Sequence, residues 1–89
     1  MRNVIRSSQF IKDYKRLEKR GVDFSTLAIV VATLAKAGRI DSHFRPHKLQ
    51  GSYSGYWECH LSHDLLLVYE LSPDTVYLFR MGTHSDLFE

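Results

Sequence analysis

The sequence predicts an α+β domain in which two N-terminal antiparallel helices pack on a mainly antiparallel twisted sheet of four to five strands, in the order β-α-α-β-β-β with one further short strand. Three observations predict it. Two stretches with helical spacing of apolar residues fill the region from Gln9 to Ala37, and each is followed by a glycine, Gly21 or Gly38. Two strand-like runs, Tyr56 to Leu61 and Leu65 to Leu71, flank the short polar turn Ser62-His63-Asp64. A last β-rich run, Thr75 to Met81, follows the turn Ser72-Pro73-Asp74. At 89 residues the chain is expected to be a single domain, residues 1–89, with one core.

Each element has its own local reason. Asn3-Val4-Ile5-Arg6 is a short β-branched run that ends at Ser7-Ser8, and either serine can cap the helix that follows. From Gln9 to Arg20, Phe10, Tyr14 and Leu17 form an apolar stripe that Ile11 widens, and the opposite face carries Lys12, Lys15, Arg16 and Lys19. Gly21 takes the position where a left-handed residue closes a helix. Asp23 is the expected cap of a second helix, Phe24 to Ala37. Leu27, Ile29, Val30, Val31, Leu34 and the alanines make that helix apolar nearly all round, so burial on more than one side is expected.

Residues 39–47 read as a polar loop, and Pro46 favours an extended backbone that delivers His47 into a short strand, Lys48-Leu49-Gln50. Gly51 and Gly55 bracket a turn around Tyr53. In the first long strand, alternation puts Tyr56, Glu58 and His60 on one face and Trp57, Cys59 and Leu61 on the other. The nearly unbroken apolar run of the next strand marks it as central. In the last strand, the period of two puts Arg80 on the face of Val76 and Leu78. Gly82 to Glu89 then carries His84 at the rim of the sheet.

A hydrophobic content of 44% with 25% charged residues excludes a disordered chain. The longest apolar run, Leu27 to Ala32, is too short for a bilayer, and Met1 to Arg6 has no long apolar signal region, so no membrane partner is expected. A single cysteine, Cys59, excludes an internal disulfide and fits a reducing, cytoplasmic setting. The net charge of +2 hides an asymmetry: eleven Lys and Arg against four carboxylates through residue 50, then one against six. Clustered cations in one half point to a polyanionic partner.

All five histidines lie after residue 42, and His47, His60 and His84 flank the ends of predicted strands. His60, His63, Asp64 and His84 offer nitrogen and oxygen ligands, yet no HExxH helix or paired-cysteine spacing accompanies them, so neither a metal nor another cofactor is expected. Cys59 alternates onto the side of Trp57 and Leu61 and is expected to be an inert buried thiol. RNA cleavage fits the side chains better. A ribose 2′-OH can attack the adjacent phosphate if one group removes its proton, a second protonates the departing 5′ oxygen, and a cation offsets the growing charge. Imidazoles titrate in the right range for the first two tasks, and His47, His60, His84 and Arg80 contain the parts.

The segments His47 to Ser52 (HKLQGS), Gly55 to His60 (GYWECH), Asp64 to Tyr69 (DLLLVY) and Arg80 to Phe88 (RMGTHSDLF) resemble, in order and spacing, the YafQ branch of the RelE/ParE toxin superfamily. These are the toxins of bacterial type II toxin–antitoxin pairs, and the likeness covers nearly the whole chain. The resemblance implies a RelE-like fold and a ribosome-dependent mRNA endoribonuclease that acts without metal. It also implies a cognate acidic antitoxin, through which the toxin–antitoxin complex binds operator DNA. Family catalytic positions fall on His47, His60, Asp64 and His84, with Phe88 near the substrate base. Two departures stand out: Leu65 replaces the Trp that relatives often place after the Asp, and Trp57 stands where many members have Arg. The second moves phosphate stabilisation to Arg80 or a lysine. The expected roles are His47 as general base, His84 as general acid, Arg80 as charge stabiliser, and Asp64 and His60 as orienting groups. Phe88 is expected to be a stacking platform, with Lys48 and Arg45 as further substrate contacts. From the residues alone, Arg80 fits a cross-strand pair with Glu58 or Glu70 equally well. A ParE-like gyrase inhibitor on the same fold, or a non-catalytic nucleic-acid- or protein-binding domain, are the alternative functions.

Overall fold

A computed structural model describes residues 1–88; Glu89, the last residue of the expected rim segment, lies outside the described residues. Five strands form one sheet: β1 (Asn3–Arg6), β2 (His47–Lys48), β3 (Trp57–Ser62), β4 (Leu65–Leu71) and β5 (Thr75–Gly82), in the order β1-β5-β4-β3-β2. β1 runs parallel to β5, and every other pair is antiparallel. The short strand after the loop starts one residue earlier than expected, because His47 itself pairs with Glu58.

Between β1 and β2 the chain forms α1 (Ser8–Lys19) and α2 (Ser25–Ala37), which cover one face of the sheet. Ser7 is the cap of α1: its Oγ accepts the Phe10 N–H at 2.9 Å and donates to the Phe79 carbonyl at 2.6 Å, fastening the helix start to β5. Asp23 accepts the Ser25 N–H at 2.9 Å, while the cap position itself falls on Phe24, which makes no side-chain capping bond. The two helices meet through Tyr14 and Phe24, whose rings stack 4.0 Å apart. Gly38 ends α2 in the left-handed conformation, at φ +73°.

Phe10, Leu17, Val30, Leu34, Cys59, Leu67, Tyr69, Val76 and Met81 fill the layer between helices and sheet. The expectation that α2 is buried on more than one side does not hold. Only Leu27, Val30, Leu34 and Ala35 are buried, and Ile29 is 61% exposed. A domain with a single layer of strands beneath its helices has nothing to lay over their outer side.

β4 is central, with Leu65 through Tyr69 all buried, so something also covers the opposite face. That cover is α3 (His84–Phe88), a helix in the segment that the sequence marks only as a rim. Its Leu87 packs on Leu66 and Val68, with Leu49, Tyr56, Phe79 and Phe88 around them. Five residues are too few to show a helical period. The period-of-two assignment of Arg80 also fails. Val68 pairs with Arg80 but Tyr69 pairs with Leu78, so Phe79 is an extra residue and the alternation of β5 changes phase there. No helix among the described residues is long and apolar enough to cross a membrane.

Candidate active site

Pairing of β2 with β3 sets His47 opposite Glu58, so the two side chains share a face, and His60 lies on the same face two residues further along β3. The His47 and His60 rings are 6.5 Å apart between centroids. His47 has an oxygen near each ring nitrogen. Arg45 adopts a left-handed conformation, φ 55°, and its carbonyl lies 2.9 Å from His47 Nδ1. On the other side His47 Nε2 lies 3.2 Å from Oε1 of Glu58, whose side chain is only 9% exposed. Both oxygens are acceptors, so each ring nitrogen of His47 has an acceptor oxygen near it.

His84 reaches the same face by a different device. Thr83 Oγ1 accepts the Asp86 N–H at 3.1 Å, and Asp86 Oδ2 accepts the Thr83 N–H at 3.0 Å, a reciprocal box that starts α3. The Asp86 carboxylate also lies 3.3 Å from Arg20 and 3.6 Å from Arg16 of the basic helix. The Thr83 N–H, helped by its hydroxyl and the two arginines, holds the Asp86 carboxyl below its ordinary range against partial burial. Gly82 makes the approach possible: a Cβ there would stand 2.9 Å from Asp86 Cβ and 3.3 Å from Arg16 Nη2. His84 is exposed, and its ring lies 5.2 Å from that of Phe88. Phe88 in turn meets Tyr53 edge-on at 5.4 Å. Register across the sheet aligns His60, Leu66 and Gly82. His60 and the start of α3 are therefore two strands apart, ~10 Å.

The remaining expected site residues separate from this group. Arg80 turns to Asp13 of α1, with Nε 2.9 Å from Oδ2 and Nη2 3.1 Å from Oδ1, and pairs with neither Glu58 nor Glu70. The cause lies in the sheet. β1 ends opposite Leu78, so the Met81 N–H has no strand partner, and Asp13 Oδ2 accepts it at 3.1 Å. Asp13 is fully buried. Burial alone would raise its carboxyl; Arg80, the Met81 N–H, Gln9 and Arg16 together outweigh that and hold it below its ordinary value. The Arg80 guanidinium is stabilised in return by the same carboxylate.

Lys48 pairs opposite Trp57, which puts it on the helix side of the sheet, away from His47, with Nζ 5.6 Å from the centre of the Trp57 ring. Asp64 lies in the β3–β4 turn, in a cleft with Arg20 and Thr83, and none of the described histidines bonds to it. Arg45 contributes its carbonyl to His47 and its side chain to a neighbouring groove. Cys59 is fully buried, and burial, with Glu58 nearby, pushes its thiol up to about 12, as expected for an inert residue. Among the described residues no group of three or more His, Cys, Asp or Glu is arranged to hold a metal ion.

Glu58, Asp13 and Asp86 have no place among the site residues expected from the sequence. Signals exist for each: Glu58 alternates with His60, Asp13 sits three residues after Phe10 and four before Leu17 on the apolar stripe, and Thr83-x-x-Asp86 has capping-box spacing.

A two-helix layer on one face of a small mixed sheet, with imidazoles and an aromatic wall on the other, defines the RelE-like toxin class. Within it, the family model for the bacterial toxin of type II toxin-antitoxin systems, YafQ, matches residues 2–89, and the chain belongs to that family. The mRNA interferase toxin YafQ of Escherichia coli K12 is 33% identical over 88 residues, 98% of this chain and 96% of the relative. A copper-bound mutant toxin from Helicobacter pylori superposes with a TM-score of 0.92 at 38% identity, covering 99% of this chain and 100% of that one. The toxin of the Escherichia coli DinJ–YafQ complex superposes with a TM-score of 0.90 at 32% identity, covering 100% of both chains.

Proposed function

We propose that this toxin is a ribosome-dependent endoribonuclease that cuts mRNA by attack of a ribose 2′-OH on the adjacent phosphate. The observation that carries the reading is the common face shared by His47, Glu58 and His60, onto which α3 brings His84 and Phe88. Kinship with an mRNA interferase supports the same reaction class.

The oxygen partners of His47 shift the expected division of labour. His47, whose two ring nitrogens face the Arg45 carbonyl and the Glu58 carboxylate, acts as a positioning residue beside the phosphate, and Glu58 orients it. His60, whose ring nitrogens have no hydrogen-bond partner among the described residues, takes the role of general base. His84, exposed on the first residue of α3, is the general acid, and Phe88 supplies the surface on which a base stacks. Arg80 acts mainly as a positioning residue, because Asp13 already matches its charge. Asp64 orients the substrate or a ribosomal group, and Lys48 contacts the RNA backbone away from the reacting bond.

The basic face of α1 and the exposed edge strand β1, with Val4 44% and Ile5 50% exposed, suit a cognate acidic antitoxin that folds on binding. The Escherichia coli complex of toxin with antitoxin supports such a partner. Operator DNA is bound through that antitoxin, and the toxin works in the cytoplasm, where its ribosomal target is.

Primer extension on mRNA from expressing cells tests the reading. Wild type is expected to give discrete cuts within translated sequence, and His84→Ala to lower their rate by about 10²–10⁴-fold. Undiminished cutting by His84→Ala overturns the acid assignment. DNA breaks with intact mRNA overturn the reaction itself.

A further inference from the structure

The sheet carries a second polar feature beyond the histidine face. β2 pairs only with Trp57 and Glu58, so β3 from Cys59 to Ser62 is a free edge among the described residues. A short helical turn at Ser42–Phe44 and the outer side of α2 wall that edge into an open groove. His43, Arg45, His60 and His63 line it, and none of the described carboxylates does. Ile29 stands on the far rim. Within the groove the His43 and Phe44 rings pack 3.9 Å apart, and Asp41 outside it fixes His43 through a 2.7 Å contact to Nδ1. A cation, Arg45, and imidazoles that can hydrogen-bond a backbone, beside an aromatic pair that accepts a base, make a combination by which proteins hold single-stranded nucleic acid. His60 belongs to both the groove and the histidine face, so one strand can run through both.

We propose that this groove is a subsite for the single-stranded RNA flanking the scissile phosphate, with Arg45 and His63 on backbone phosphates and a base against the His43–Phe44 pair. The proposal rests on the His47–His60–His84 face being the cleavage centre. An acidic peptide would also match Arg45, but the continuity with His60 favours RNA.

The probe is a 12-nucleotide single-stranded RNA carrying a 2′-deoxy sugar at the cleavage position, which binds without being cut, compared with a trinucleotide that spans only that position. Fluorescence anisotropy against salt concentration reads both. The double variant Arg45→Gln, His63→Ala changes only exposed side chains and keeps a non-glycine residue at position 45, so its thermal unfolding should match wild type. It is expected to weaken the 12-mer on the order of tenfold and to lower the salt slope by about 0.7, for the one phosphate that Arg45 no longer neutralises. Trinucleotide affinity should fall by less than 12-mer affinity. Ile29→Lys, which adds a cation at the rim, should tighten the 12-mer. Equal losses on both RNAs, an unaltered 12-mer affinity, or a loss confined to the antitoxin overturns the subsite. Unaltered RNA affinity beside intact His84-dependent cutting strikes the subsite alone. A retained 12-mer defect with no His84-dependent cutting strikes the cleavage reading instead.

Discussion

On β3, Cys59 and Leu61 face the two long helices and are buried, whereas Glu58 and His60, their immediate neighbours, face the other way toward β2 and the α3 side. The first face is closed by helices of 12 and 13 residues. The second is closed only over Leu66 and Val68, by a helix of 5 residues, and its other half holds the imidazoles. A chain of this size cannot cover both faces. In that half the imidazoles keep access to solvent, His47 exposed and His60 half-buried, while Glu58 between them is buried. Stability and chemistry are thus divided between faces, with one crossing point: the Asp13 carboxylate binds Arg80 and the edge of β5 from the helix side and, through Arg16, adjoins Asp86 beneath His84.

That crossing point is where the division is most exposed to a single substitution. Asp13→Ala should destabilise the fold by about 3–5 kcal/mol in denaturant unfolding, because it leaves Arg80 and the Met81 N–H without their partner. A loss under about 1 kcal/mol would show that the two faces are independent. Acid unfolding gives a second measure. The Asp13 carboxyl is held below its ordinary value of 3.8, so its contribution is complete above that pH and is lost as pH falls through the folded-state value. Stability of Asp13→Asn should therefore fall less steeply than wild type below about pH 4.

Gly82→Ala should come next, at about 1–3 kcal/mol, since its methyl would press on Asp86 and Arg16. Because the strain falls on the seat of α3, mRNA cutting should drop with it while the helix-side core stays intact by near-ultraviolet circular dichroism. The smallest effect is expected for Asp86→Ala, about 1 kcal/mol for the lost cap, its exposed pairs with Arg16 and Arg20 adding little. Asp86→Asn keeps an acceptor for the Thr83 N–H and should recover most of the cutting. Failure of that rescue would assign the effect to charge rather than to helix placement.

Much of the fold is legible because its signals are local. Phe10, Tyr14 and Leu17 mark one face of α1 within three turns, and the alternation through Trp57, Cys59 and Leu61 marks one face of β3 within six residues. The site is legible in part. His47 and His60 share a face through the β2–β3 pairing, as their places in the strands suggest, whereas His84 is brought there by α3. Lys48 goes to the opposite face because register with Trp57 decides its side, and α3 is hard to foresee because its main signal is a single Thr83–Asp86 box.

The order of elements, the faces of β3, the basic stripe of α1 and the membership of the family can all be read from the chain alone. They are properties of spacing over two to four residues and of short motifs. Which charge meets which is a matter of packing. Arg80 and Asp13 are 67 residues apart and touch because β5 lies between β1 and β4 and β1 stops short, which leaves the edge of β5 open to α1. Side-chain periodicity is written into each segment, but the partner of a buried charge depends on strand order and register, and those are settled only when the sheet and its helices pack together.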